Sequence, residues 1–121
     1  MMPMKKILIF EDNSEIQLIL KLFFKKRGCE PLLYGDASEA VELARAHQPA
    51  LILMDIIMPG KDGLEACKEL RSQGITTPIV MLTSKAFRED RERGMLAGAT
   101  AYILKPFNPK DLDAVVHPFL V

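Results

Sequence analysis

Short aliphatic runs and stretches with apolar positions three and four apart alternate along the whole chain. Lys6-Ile7-Leu8-Ile9-Phe10 has the length of a strand, and Ile16, Ile19, Leu20, Phe23 and Phe24 then fall on one helical face. This predicts a strand followed by a helix over about residues 15–27, capped by Ser14 and stopped by Gly28. Residues 29–34 read as a weaker strand. A second helix starts at Asp36 or Ser38, carries Ala40, Val41, Leu43 and Ala44, and runs through about Gln48 to a stop at Pro49. Leu51-Ile52-Leu53-Met54 is uninterrupted aliphatic and reads as a strand buried on both faces. A third helix spans about 63–72, with Gly74 as its breaker, and Pro78 to Leu82 is a fourth strand. A charge-rich helix from Ala86 to Leu96, a strand from Ala101 to Leu104 and a helix whose first residue is Pro109 complete the series. That last helix has about two turns before His117-Pro118, where proline removes a helical hydrogen bond.

Strands alternating with helices over short connections predict one α/β domain across residues 1–121, a parallel sheet with helices on both faces. Crossovers between parallel strands are right-handed, so covering both faces requires the strand order to reverse once, and a crevice opens at the reversal above the carboxyl ends of the strands. The residues at that edge are Glu11 and Asp12 after the first strand, Asp55 after the third, Thr83 and Ser84 after the fourth, and Lys105 after the fifth. Each has an ordinary reading as well: the acids as loop residues or helix caps, Thr83-Ser84 as a cap, Lys105 as a surface lysine.

Three carboxylates crowded together repel one another unless a cation joins them, because a partly desolvated crevice disfavours the charged forms. Oxygen donors without nearby His or Cys select a hard cation, and Mg²⁺ held by carboxylates and water is the expected form, with Mn²⁺ as the substitute. A metal, an ammonium and a hydroxyl aimed at one carboxylate are the parts that stabilise a phosphoryl group in transfer, with Asp55 as the nucleophile. Composition narrows the classes. Sixteen basic residues against sixteen acidic ones give no electrostatic footprint for direct nucleic-acid or anionic-membrane binding. Cys29 and Cys67 lie in no metal-type spacing and read as reduced thiols. No apolar run reaches the ~20 residues of a membrane span, and the start is too short for a secretory signal, so a soluble cytoplasmic protein is expected.

The chain resembles receiver domains of two-component response regulators over about residues 5–117. The matching motifs are Glu11-Asp12, the D-x-x-M-P-x-x-D-G loop of Asp55, Met58, Pro59, Asp62 and Gly63, the M-L-T-S segment from Met81 to Ser84, and Tyr102 with Lys105-Pro106-Phe107. The resemblance implies a flavodoxin-like, doubly wound, five-stranded parallel sheet of order 2-1-3-4-5 with five helices. It implies that Asp55 accepts phosphate from a sensor histidine kinase or phosphotransfer protein. Asp12 and Asp55 would ligate Mg²⁺ directly, the main-chain carbonyl of Ile57 would be a further ligand, and Glu11 would act through metal-bound water. Thr83 and Lys105 would hold the phosphoryl oxygens, and the Lys105-Pro106 bond would be cis. Thr83 and Tyr102 would form the switch that remodels the face of the fourth helix, fifth strand and fifth helix for a downstream output protein, in a monomer or weak homodimer. The chain would be a signalling switch rather than an enzyme, although it would catalyse its own phosphorylation and slow dephosphorylation.

Two positions that modulate phosphate lifetime in similar receivers are Ile57 and Lys85 here, and neither can orient an attacking water, so a long-lived acyl phosphate is expected. An aspartate-nucleophile phosphatase would carry D-x-D at the nucleophile, but position 57 is Ile. A flavin domain of similar topology would need a phosphate loop where Glu11-Asp12-Asn13 stands, and those acids repel phosphate. A receiver-like scaffold independent of phosphorylation would not need the intact acid set.

Overall fold

Each apolar run forms a strand and each amphipathic stretch a helix in the computed structural model, which describes residues 3–84 and 88–121, the second stretch with side chains from position 91. The strands are β1 (Lys6–Phe10), β2 (Glu30–Tyr34), β3 (Leu51–Asp55), β4 (Ile79–Thr83) and β5 (Ala101–Leu104). The helices are α1 (Ser14–Lys26), α2 (Ala40–His47), α3 (Gly63–Ser72), α4 (Arg88–Leu96) and α5 (Pro109–Val116), and a turn of 3₁₀ helix covers His117–Phe119. Every strand pair is parallel, and the order is β2-β1-β3-β4-β5, so the fold is the flavodoxin-like doubly wound sheet. The chain reverses direction across the sheet between β1 and β3, whose last paired residues are Phe10 and Met54.

Side chains alternate across a strand, so one sheet feeds two cores. Leu8, Phe10, Ile52, Met54, Ile79 and Met81 pack toward α2, α3 and Ala97. Ile7, Ile9, Leu51, Leu53, Val80, Leu82 and Ile103 pack toward Leu20, Phe23 and Phe24 of α1 and Leu112 and Val116 of α5. Every residue of β3 and β4 is buried, which is why the middle of the sheet reads as unbroken aliphatic sequence. Removing each such side chain from water stabilises the fold by about 1.5–3 kcal/mol.

The element ends differ from expectation where polar side chains compete for backbone donors. Asn13, not Ser14, caps α1, accepting from the Ile16 N–H at 3.0 Å. Asp36 accepts from the N–H and hydroxyl of Ser38, forming a local turn that delays α2 to Ala40. β2 begins at Glu30 rather than at 29. β3 extends to include Asp55, and β4 starts one residue later than Pro78, placing Thr83 inside the strand. α5 begins at Pro109 behind an Asn108 cap on Asp111. The expected start of the fourth helix at Ala86, together with Lys85, lies outside the described residues.

Candidate functional site

Asp55 ends a strand that is polar nowhere else, and the segment after it is fixed at both ends. The Gly63 N–H donates to the Ile56 carbonyl at 2.8 Å, and Asp62 caps α3 by accepting from the Glu65 N–H at 2.8 Å. The start of α3 presses so closely on β3 that a Cβ at Gly63 would stand 2.9 Å from both the Asp55 carbonyl carbon and the Ile56 Cα, so only glycine fits. Ile56 and Met58 are buried under this loop, while Ile57 between them is 56% exposed at the mouth of the crevice.

The carboxylate of Asp55 is nearly buried and accepts from two sides. The Ile57 N–H donates to Oδ1 at 3.1 Å, and the Lys105 ammonium donates to Oδ2 at 2.8 Å. The same ammonium donates to both carboxylate oxygens of Glu11, at 2.9 and 3.0 Å. Glu11 has no exposed surface; its N–H donates to the Tyr34 carbonyl at 3.0 Å, and the Gln17 side-chain amide of α1 donates to its carbonyl. Burial, then the neighbouring Asp55, push the Glu11 carboxyl up to about 7, against the pull of Lys105. Burial draws the Lys105 ammonium down, but its bonds to Asp55 and Glu11 outweigh that and leave it raised. Lys105 therefore stays charged and holds two acids that would otherwise repel each other.

Asp12 is exposed at the outer side of the crevice, and one carboxylate oxygen each from Glu11, Asp12 and Asp55 lies within 4.8 Å of the others. The donor set is all oxygen and anionic, and one of its members faces solvent, from which an ion arrives with its waters. These residues fit a hard divalent cation. Thr83 is buried at the end of β4, and its carbonyl accepts from the Lys105 N–H at 2.7 Å, which joins the ends of β4 and β5 on one side of Asp55. The Lys105–Pro106 bond is cis. A cleft of about 250 Å³ bordered by Ile57, Met58, Thr83 and Arg93 opens along the loop that follows Asp55. Ser84 is exposed next to it.

Glu11, Asp12, Asp55, Thr83 and Lys105 are thus gathered at one sheet edge, and Ile57 stands at its rim. Tyr102 of β5 is paired with Met81, two residues before Thr83, and packs against α4 at Gly94. Gln17 was not singled out in the sequence, although it ties α1 to the backbone of Glu11. A glutamine one turn into a helix carries no signal of such a role, because its partner is a carbonyl that any residue would supply.

A model of the response regulator receiver domain matches residues 7–117. The alkaline phosphatase synthesis transcriptional regulatory protein PhoP of Bacillus subtilis is 37% identical over 116 residues, which are 96% of this chain and 48% of that protein; the chain thus spans about half the length of this relative. Among solved structures, the chemotaxis protein CheY4 of Vibrio cholerae is 32% identical with a TM-score of 0.89, covering 98% of this chain and 100% of that one. The BeF3-activated receiver domain of RstA from Klebsiella pneumoniae is 33% identical with a TM-score of 0.89, covering 96% and 98%. The receiver domain of sensor histidine kinase PA1611 from Pseudomonas aeruginosa, with a magnesium ion coordinated in its active site cleft, is 32% identical with a TM-score of 0.87, covering 98% of each chain.

Proposed function

The chain belongs to the response regulator receiver domain family and is a receiver domain of two-component signalling, and from that premise we propose that Asp55 is its phosphoacceptor. The carrying observation is that Lys105 bonds both Asp55 and the fully buried Glu11, with Asp12 alongside, at the carboxyl edge of the sheet. The phosphodonor is a phosphorylated histidine of a sensor kinase or phosphotransfer protein. A carboxylate oxygen of Asp55 forms the new O–P bond as the N–P bond breaks; the electron pair stays on the imidazole, which then takes up a proton.

Asp12, Asp55 and the Ile57 carbonyl would hold Mg²⁺ directly, with Glu11 acting through water, a role supported by both Glu11 oxygens being engaged by Lys105. The ion would supply charge neutralisation to the transferring phosphoryl group. A receiver with magnesium in the corresponding cleft is among the structural relatives. Lys105 carries its positive charge to the phosphoryl oxygens, and the Thr83 hydroxyl, at the end of β4, donates to another. Thr83 moves toward the phosphoryl group to donate, the space it vacates admits Tyr102, and the face made by α4, β5 and α5 passes the state to an output partner. The exposed Ile57 shields the acyl phosphate by bulk and gives it a long lifetime. The chain is in this reading a signalling switch that catalyses only its own phosphotransfer.

Acetyl phosphate with Mg²⁺ should add one phosphoryl mass to the protein, located on Asp55. Asp55→Asn, or wild type in excess chelator, should remain unmodified. Full-rate modification of either would overturn the assignment.

A further inference from the structure

The fourth helix approaches the sheet through a gap in its own side chains. Among its described side chains, from position 91 to 96, Gly94 alone is buried, and the flanking Arg93 and Met95 are exposed. A Cβ added at Gly94 would stand 2.5 Å from Cζ and 2.9 Å from Cε2 of Tyr102, and nearer still to its hydroxyl. Carbon atoms pack at about 3.5–4.0 Å, so the Tyr102 ring and any side chain at position 94 exclude each other. Glycine weakens a helix interior relative to alanine, and here it lies in the helix with the weakest apolar face.

We propose that Gly94 is a positioning residue of the switch: its bare backbone seats the phenol end of Tyr102 against α4, so the rotamer of the ring and the distance of α4 from β5 are set together. The inference rests on the reading of Tyr102 as a switch residue. Tyr102 also joins the core packed around Met81 and Ala97, so the ring supplies bulk that the small residues Gly94 and Ala97 do not. When the ring leaves the seat, the helix loses that contact, and a change at one side chain becomes a change of the whole face. Because the contact is made by the far end of a two-torsion side chain, a methyl at position 94 displaces the ring before it displaces backbone.

The chain has two tyrosines and no tryptophan, so Tyr34→Phe leaves Tyr102 as the sole source of tyrosine fluorescence. In that background, Gly94→Ala should increase acrylamide quenching and abolish the quenching change that acetyl phosphate with Mg²⁺ produces. It should also lower Tm, whereas in a Tyr102→Ala protein the same Gly94→Ala should raise Tm, because alanine favours helix once the ring is gone. Unchanged quenching, or an equal Tm shift with and without the ring, would overturn the seat. Should Gly94→Ala fail to fold, folding of Gly94→Ala/Tyr102→Ala supports the proposal and its failure overturns it. If phosphorylation leaves Tyr102 quenching unaltered in the Gly94 protein while Asp55 is modified, the switch role falls, a result separable from failure of the seat.

Discussion

The site lies between two flanks built in opposite ways. On the α1 side, Leu20, Phe23 and Phe24 are buried in the sheet, the two rings meet edge to face at 5.0 Å, and Gln17 holds the backbone of Glu11. On the α4 side, the described residues that face the interior are small, Gly94 in the helix and Ala97 just after it, while Met95 and Leu96 face outward. A phosphoryl group gripped between them would have one wall that cannot yield and one that can. Among the described residues the difference is one of side-chain size: large buried side chains fix a helix in one position and small ones leave alternatives close in energy.

The contrast is broken most directly on the anchored side. Phe24→Ala removes a ring with no exposed surface from the core shared by α1 and the sheet. The expected loss is about 3–5 kcal/mol, enough to consume much of a small domain's stability. Urea unfolding measures it. A loss below about 1 kcal/mol would show that the α1 flank is no more rigidly packed than its counterpart.

The next effect is electrostatic and belongs to Glu11, the charged group that the anchored flank keeps out of water. Its carboxyl is raised from the ordinary 4.5 to about 7, first by burial and then by Asp55. Between those values the folded state binds a proton that the unfolded chain has released, so stability falls as pH rises through this window and levels off above it. The slope is at most about 1.4 kcal/mol per pH unit for one group. In metal-free protein, Glu11→Gln should flatten that decline and raise stability at pH 8 relative to wild type, without moving the Tm at pH 4.5 to the same degree. Parallel pH profiles for the two proteins would mean that folding does not raise the Glu11 carboxyl above its ordinary range.

Aliphatic runs identify the five strands, and apolar spacing together with Gly and Pro breakers identifies the helices, except that α4 is read from a charge-rich stretch and the 3₁₀ turn at His117–Phe119 is not read. The edge residues were legible for a topological reason: Glu11, Asp12, Asp55, Thr83 and Lys105 each end or follow a strand. Caps were less legible. Asn13 and Ser14 are both good capping residues, and only backbone geometry decides for Asn13. Asp36 forms a turn with Ser38 that looks in sequence like the start of a helix. The grip of Lys105 on Glu11 spans 94 positions and depends on how far Glu11 is buried. Gly94 could not be read at all, since its meaning lies in a ring on another element.

A smaller effect tests how the anchored flank is held at its far end. The Arg27 guanidinium lies 3.5 Å over the Phe23 ring, donates to the Phe23 carbonyl, and pairs with Asp113 of α5 at 3.1 Å. The pair is partly exposed and screened, so most of the benefit is the stacking contact. Arg27→Ala should cost about 1 kcal/mol, with little change at high salt. Strong salt dependence of that difference would assign the anchor to the ion pair instead.

The smallest effect is expected at Leu96, and it sharpens the comparison by its size. Leu96 is 87% exposed at the end of α4, so truncation removes almost no buried area, and alanine is at least as good a helix former as leucine. Leu96→Ala should therefore change stability by less than about 0.5 kcal/mol. The matching substitution on the other flank, Leu20→Ala, removes a side chain with no exposed surface and should cost about 2–5 kcal/mol. Both are measured by urea unfolding at two protein concentrations. A loss above 1 kcal/mol for Leu96→Ala that grows with concentration would mean that a second copy covers the α4 face in solution, since association stabilises the bound fold by mass action. The same loss without concentration dependence would mean that α4 is packed as firmly as α1, and the unequal walls around Asp55 would have to be abandoned.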